Sequence, residues 1–168
     1  TTFDYVKIFT TFLIALFFSV VFFAFTIKKS KIKNFEKVVF TYARYYLALY
    51  LLSYGFAKFY DGQFMFPSID RLEQKIGDAS PMGLLWTFMG YSKTYTVFGG
   101  ICEVIGGILL FFRRTTLLGG LVSFMVMANI AVMNFSYDIP VKLFSIHLAL
   151  ISILIISPNI INLFQFFF

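Results

Sequence analysis

Residues 94–112, Thr-Tyr-Thr-Val-Phe-Gly-Gly-Ile-Cys-Glu-Val-Ile-Gly-Gly-Ile-Leu-Leu-Phe-Phe, constrain this chain more than any other stretch. The run has the length of a membrane-spanning helix, yet it holds an acid, Glu103, at its middle. A carboxyl near a bilayer midplane costs roughly 3 kcal/mol on insertion scales, so it calls for a polar partner. Helical spacing sets Gly99, Glu103 and Gly107 on one stripe. Small residues there let a neighbouring helix come close enough to supply that partner. The expectation is a membrane-embedded helical bundle with a polar interior.

Composition agrees. Hydrophobic residues make up 60% of the 168 and charged ones 13%, against roughly half and a quarter in soluble domains. The period-two alternation of an outer-membrane barrel is absent, so the fold class expected is all-α and polytopic. A net charge of +6 does not indicate nucleic acid here. Lys28, Lys29, Lys31, Lys33, Lys37, Arg113 and Arg114 hold half of the 14 Lys and Arg in two short connections between apolar runs. Positive charge so placed marks the cytoplasmic side and suits anionic lipid. The single cysteine, Cys102, excludes an internal disulfide and a CxxC relay, and within an apolar run it reads as a small hydrophobe. The chain begins with Thr rather than Met, which suggests processing or an upstream segment, and its first apolar run has no signal-peptide cleavage pattern.

Five spans are predicted, at 3–27, 38–60, 94–112, 115–135 and 141–163, with the N-terminus outside and the C-terminus inside. Residues 1–37 form an N-terminal transmembrane helix and a basic cytoplasmic loop. Residues 38–163 form a four-helix membrane domain with an outer interfacial segment at 61–91, and 164–168 are a tail. The first span has phenylalanines all round and reads as lipid-facing. The second carries Arg44, Lys58, Ser53, Gly55 and tyrosines at 42, 45, 46, 50 and 54. Arg44 and Lys58, close to four turns apart, share a face. Lys58, near the outer end, can snorkel to the surface. Arg44, about two turns inside the cytoplasmic end, either snorkels to the inner surface or, about 8 Å in height from Glu103 by helix rise, partners the acid directly or through water.

In the outer segment, Ser68 is placed to cap a short helix after Pro67, with Ile69, Leu72 and Ile76 on one face and Gly77 as its stop. Ser80-Pro81 starts a second piece over 82–89 that contains Trp86 and is too short to span. It reads as an interfacial or re-entrant helix, with Trp86 as an aromatic-belt anchor or as a cover over a site. Asn129 in the fourth span is a candidate interhelical hydrogen-bonder, while Met125, Met127 and Met133 read as packing. The fifth span should kink or end at Ser157-Pro158-Asn159. Its outer half holds Lys142 and the lone His147. No second His or paired Cys exists, so neither a haem nor a zinc site is expected from this chain alone.

Over residues 38–160 the pattern resembles the DoxX-like family of bacterial membrane proteins, in a Bacteroidetes-type form. The residues carrying the resemblance begin with Arg44-Tyr45-Tyr46, Gly55-Phe56-Ala57-Lys58, Gln63-Phe64 and Leu85-Trp86-Thr87-Phe88-Met89-Gly90. They continue with Tyr95, Phe98-Gly99-Gly100, Glu103, Gly106-Gly107 and Leu109-Leu110, then Asn129, Asn134, Tyr137-Asp138, Pro140, Lys142 and His147. The resemblance implies a four-helix core in the inner membrane, here spans two to five, with one added N-terminal helix. The wider family includes subunits linked to thiosulfate:quinone oxidoreduction and others associated with thiol or oxidative-stress chemistry. This chain lacks a thiol pair for such chemistry on its own.

Three functions compete. In the first, the chain is the membrane subunit of a redox system and not a self-sufficient enzyme. A quinone or similar small amphiphile enters a polar pocket around Glu103, and a partner protein carries the redox centre. Glu103 and His147 are the candidate catalytic groups. The ligand-binding polar core is drawn from Arg44, Tyr54, Lys58, Trp86, Tyr95, Asn129, Asn134, Tyr137, Asp138 and Lys142 with those two. In the second, the chain is a small-solute transporter or an assembly partner of an envelope complex. In the third, a Glu103–Arg44 pair merely fixes helix order. A pocket beneath the Trp86 helix would favour a ligand; dry packing would favour structure.

Overall fold

The computed structural model describes residues 2–25, 29–60 and 62–167, and within them the side chains of 5, 6, 9–21, 33–60 and 62–165. Among the described residues eight α-helices follow in order: α1 Thr2–Phe25, α2 Lys29–Phe59, α3 Ile69–Glu73, α4 Pro81–Tyr91, α5 Lys93–Phe111, α6 Thr116–Ser136, α7 Lys142–Ile156 and α8 Ile160–Phe167. Short 3-10 turns lie at Ile76–Asp78 and Ser157–Asn159, and no strand occurs among the described residues. The all-helical expectation holds. The chain divides into two units, Thr1–Thr41 and Tyr42–Phe168.

The first unit contains α1 and the start of α2. The basic stretch expected as a loop up to Lys37 instead forms the first turns of α2, from Lys29 onward; Lys28 lies outside the described residues. Neither Gly nor Pro interrupts residues 29–54, and Lys and Glu are good helix formers, so charge alone does not end the helix.

In the second unit, α5, α6 and α7 pack as successive neighbours. The buried core joins Leu47, Ala48 and Leu51 of α2 to Leu110, Met127, Leu148, Ala149 and Ile155. Helices α2 and α5 run antiparallel, Gly55 facing Gly100 and Ala48 facing Gly107. A β-carbon on Gly100 would stand 2.8 Å from the Gly55 carbonyl oxygen, and one on Gly55 2.8 Å from that of Gly100. Only glycine permits this approach at either position. The predicted stripe of Gly99, Glu103 and Gly107 faces α2, and Gly100 beside it makes the closest backbone approach.

Beyond α2 the segment 62–91 folds back on the helices. Ser68 precedes α3 without making a side-chain cap, and α3 ends at Glu73, before the predicted stop at Gly77. Gln74 terminates it, its Nε2 donating to the Asp78 carbonyl at 2.9 Å. The restart at Ser80-Pro81 is as expected: Ser80 Oγ accepts from the Gly83 amide at 3.1 Å, with Pro81 in the first helical position. Thr96 Oγ1, fully buried, donates to the Met89 carbonyl at 2.6 Å and ties α4 to the first turn of α5. A second apolar cluster, Phe64, Leu85, Met89 and Ile139, packs with Trp86, Met133 and Tyr137. The last span breaks at Ser157–Asn159 as predicted. Residues 164–167, expected as a tail, continue α8.

Among the described residues three helical stretches, Lys93–Phe111, Thr116–Ser136 and Lys142–Gln165, are long and apolar enough to cross a membrane. In α1 the described apolar stretch is the shorter Phe9–Val21. The predicted second span, α2, is helical but does not reach that hydropathy, because its tyrosines, Arg44 and Lys58 dilute it.

Candidate functional site

The polar centre of the bundle is an ion pair between α2 and α5. Lys58 stands in the last turn of α2. Its aliphatic stem lies against Gly99 and Gly100, where added β-carbons would meet Lys58 Cδ at 4.0 Å and Cβ at 3.1 Å. From that glycine shelf its Nζ donates to both oxygens of Glu103, at 2.9 and 2.7 Å. Lys58 is 6% exposed and Glu103 2%. Removing such groups from water costs several kcal/mol each, a penalty offset only by close pairing and further hydrogen bonds. No other described residue hydrogen-bonds the Glu103 carboxylate, so it keeps acceptor capacity.

That spare capacity faces a cavity of about 80 Å³, several times the roughly 10–15 Å³ that one water needs. Helix α4 covers it with Leu85, Trp86 and Met89, and Phe64 meets the Trp86 ring edge-on at 5.1 Å. Leu51, Tyr54, Met127, Phe144 and Leu148 contribute walls. Gln63 adds a polar group whose Oε1 is buried with no hydrogen-bond partner. Asn134 Nδ2 donates to Ser145 Oγ at 3.1 Å, and Ser145 Oγ donates to the Lys142 carbonyl at 2.7 Å. The arrangement is a largely apolar chamber whose lining includes the charged pair and the side-chain amides of Gln63 and Asn134.

A second, more open cavity of about 290 Å³ lies between α5 and α6 and shares Lys58 and Glu103 with the first. Tyr95, Phe98, Gly99 and Cys102 line one side, and Met125, Val126 and Asn129 the other. The ion pair thus stands between an enclosed chamber and a flank groove.

Of the predicted site residues, Tyr54, Lys58, Trp86, Glu103 and Asn134 meet at the inner chamber. Tyr95 and Asn129 line the groove, both exposed. The predicted Arg44–Glu103 pair is not formed. Arg44 Nη1 instead donates to Thr116 Oγ1 at 3.3 Å, and the guanidinium lies over the Tyr45 ring at 4.7 Å. Because Ala48 faces Gly107, Arg44 stands level with the end of α5, about 12 Å from the height of Glu103. The snorkelling reading of Lys58 fails for the same reason, since the lysine occupies the place given to Arg44.

His147, a predicted catalytic candidate, is exposed on α7 and turns its ring edge to Tyr46 at 6.2 Å, outside both cavities. Tyr137 packs in the second apolar cluster, with Phe64, Leu85, Met89 and Ile139. Asp138 and Lys142 form an ion pair in the α6–α7 turn. The Lys142 ammonium, hydrogen-bonded beside it, holds the Asp138 carboxyl below the usual aspartate range. Sequence reasoning passed over Gln63 and Ser145 as site residues. Gln63 sits in a loop without periodicity, and only its place beside Phe64 in the family pattern hinted at it. Among the described residues no group of three or more His, Cys, Asp or Glu is placed to hold a metal.

No family model matches the chain. No solved structure matches it either. Over 101 residues it is 35% identical to a Bacillus subtilis (strain 168) protein described as the uncharacterized protein YwoB. The alignment covers 59% of this chain and 62% of that one, so the chain spans less than two thirds of the length of this relative.

Proposed function

We propose that the chain is a multi-pass protein of the bacterial inner membrane, of the DoxX-like type, that binds a small amphiphile with its polar end against Lys58 and Glu103. The burial pattern supports the membrane. Glu103, Lys58, Thr96, Ser123, Ser145 and Ser152 are buried while Phe98, Met125 and Val132 are exposed, the reverse of a water-soluble surface. The N-terminus outside and the C-terminus inside follow from the basic stretches around 29–37 and 113–114.

The observation that carries the ligand reading is the joining of a buried ion pair to a partly enclosed, largely apolar chamber beneath α4. A chamber of about 80 Å³ suits a single ring or head group. The groove between α5 and α6 gives an apolar tail a path past Cys102 and Val126. A quinone has that shape. Its carbonyl would accept from the Lys58 ammonium, and its hydroxyl form would donate to Glu103 or Gln63. When bound, a quinone would supply two-electron carrier chemistry, and a partner protein would hold the other redox centre. The residues here bind, orient and hold protons at Glu103 and Lys58.

Mass spectrometry of small molecules copurifying with the protein in mild detergent tests the reading. Near-stoichiometric amphiphile on the wild type, reduced at least about tenfold by Glu103→Gln, is the expected result. A chamber empty in the wild type would defeat it. The structural reading, in which the pair only fixes α2 against α5, is favoured by one observation: Lys58 engages both carboxylate oxygens itself.

A further inference from the structure

Midway along α2, about four turns before Lys58, stands a second buried cation with no counter-ion. Arg44 is 8% exposed, and no carboxylate among the described residues pairs with it. Its Nε is buried without an acceptor, while Nη1 reaches Thr116 Oγ1, in the first turn of α6. Arginine keeps its charge in proteins, and one hydroxyl and the Tyr45 ring only partly offset a desolvation penalty of several kcal/mol.

The place to which Arg44 points is itself short of negative charge. Helix α6 runs for 21 residues and starts with no side-chain cap. The residue in the capping position, Thr115, turns its hydroxyl away and donates to the carbonyls of Leu109 at 2.7 Å and Phe112 at 3.3 Å. The first intrahelical acceptance from this end is the Gly119 amide on the Thr115 carbonyl, at 2.8 Å. The amides ahead of it have no intrahelical acceptor and carry the positive end of the helix dipole. Arg113 and Arg114, both exposed, precede them in the same turn.

We propose that Arg44, the first turn of α6 and the Arg113-Arg114 pair form a binding site for a phosphate-bearing anion, from an anionic phospholipid head group or from free phosphate. Guanidinium groups match phosphate oxygens in geometry, and helix N-termini bind them through backbone N–H groups. The site is separate from the Lys58–Glu103 chamber and does not depend on what that chamber binds.

The test uses the full chain in neutral detergent, with thermal unfolding and native mass spectrometry as readouts. One arm adds inorganic phosphate at constant ionic strength; the other adds phosphatidylglycerol, with phosphatidylcholine as control. Stabilisation and retained adduct are expected in at least one arm: phosphatidylglycerol alone identifies a lipid source, inorganic phosphate a free anion. Arg44→Gln should weaken the response on the order of tenfold. Should Arg44→Gln fail to fold, the double variant Arg113→Gln/Arg114→Gln, at exposed positions, should weaken it by at least about threefold. No response in either arm overturns the site, as does a response unchanged in the variant that folds.

Discussion

The Nζ of Lys58 donates to both carboxylate oxygens of Glu103 across 45 residues of chain, with each partner nearly inaccessible to solvent. Breaking such a pair from one side leaves a bare buried charge. Glu103→Leu or Lys58→Met alone should destabilise by about 3–5 kcal/mol, while the double variant should return close to wild-type stability or exceed it. Unfolding transitions of the four proteins in detergent measure this. The double variant also separates the functional readings, because a stable protein that still retains its copurified amphiphile would show the pair is not the ligand's polar anchor.

Two adjacent glycines should answer oppositely to the same change. An alanine methyl at 100 would press on the Gly55 carbonyl and on Phe59 Cε1, each at 2.8 Å. Gly100→Ala should therefore cost about 1–3 kcal/mol by overpacking. At Gly99 the only neighbour within reach is Lys58 Cδ at 4.0 Å. There the helix-propensity gain of up to about 1 kcal/mol should leave Gly99→Ala neutral or stabilised. A paired comparison of melting points settles the contrast.

Acid should weaken the α6–α7 turn in a way that Asp138→Asn removes. Asp138 is held below its ordinary value of 3.8 by the Lys142 hydrogen bond and charge. A lowered folded value means a contribution present above pH 3.8 and lost as pH falls through the lowered value. The wild-type-minus-variant difference in melting point should shrink across that window, and shrink more in low salt than in high. Asparagine keeps the backbone content, since Asp138 has φ 51°, a left-handed conformation that Asn tolerates. Asp138→Val should be worse at every pH.

His147 should be dispensable for ligand retention. Its ring faces Tyr46 rather than either cavity, so His147→Ala should hold the same amount of copurified molecule as wild type. Trp86→Ala, which unroofs the chamber, should release it. Equal loss in both variants would contradict the placement of the site beneath α4.

What was legible in the sequence followed from local chemistry. Ser80-Pro81 starts α4 because a serine oxygen and a missing proline N–H suit a helix start, and Ser157-Pro158 ends α7 for the converse reason. A carboxyl in an apolar run announced a buried partner. Which cation supplies it was not legible, because heights counted from loop ends assume the loop is correctly placed. Helix α2 begins at Lys29, not after Lys37, and its level against α5 is fixed by the Gly55–Gly100 contact, which no single helix encodes. The face of His147 was equally hidden. Leu148, one residue on and about 100° round the helix, lines the chamber that His147 does not. Gln63 had no periodic signal at all.

The backbone contact of Gly55 with Gly100 has a mechanical consequence. With no side chain between them, the facing stretches of α2 and α5 should move together, and the lysine and the glutamate are both fastened there within four residues of the joint. Their separation is therefore insensitive to motions of the remaining helices. Any swelling needed to admit a guest must come from the opposite wall, where the methionines of α6 and the phenylalanine of α7 can give way.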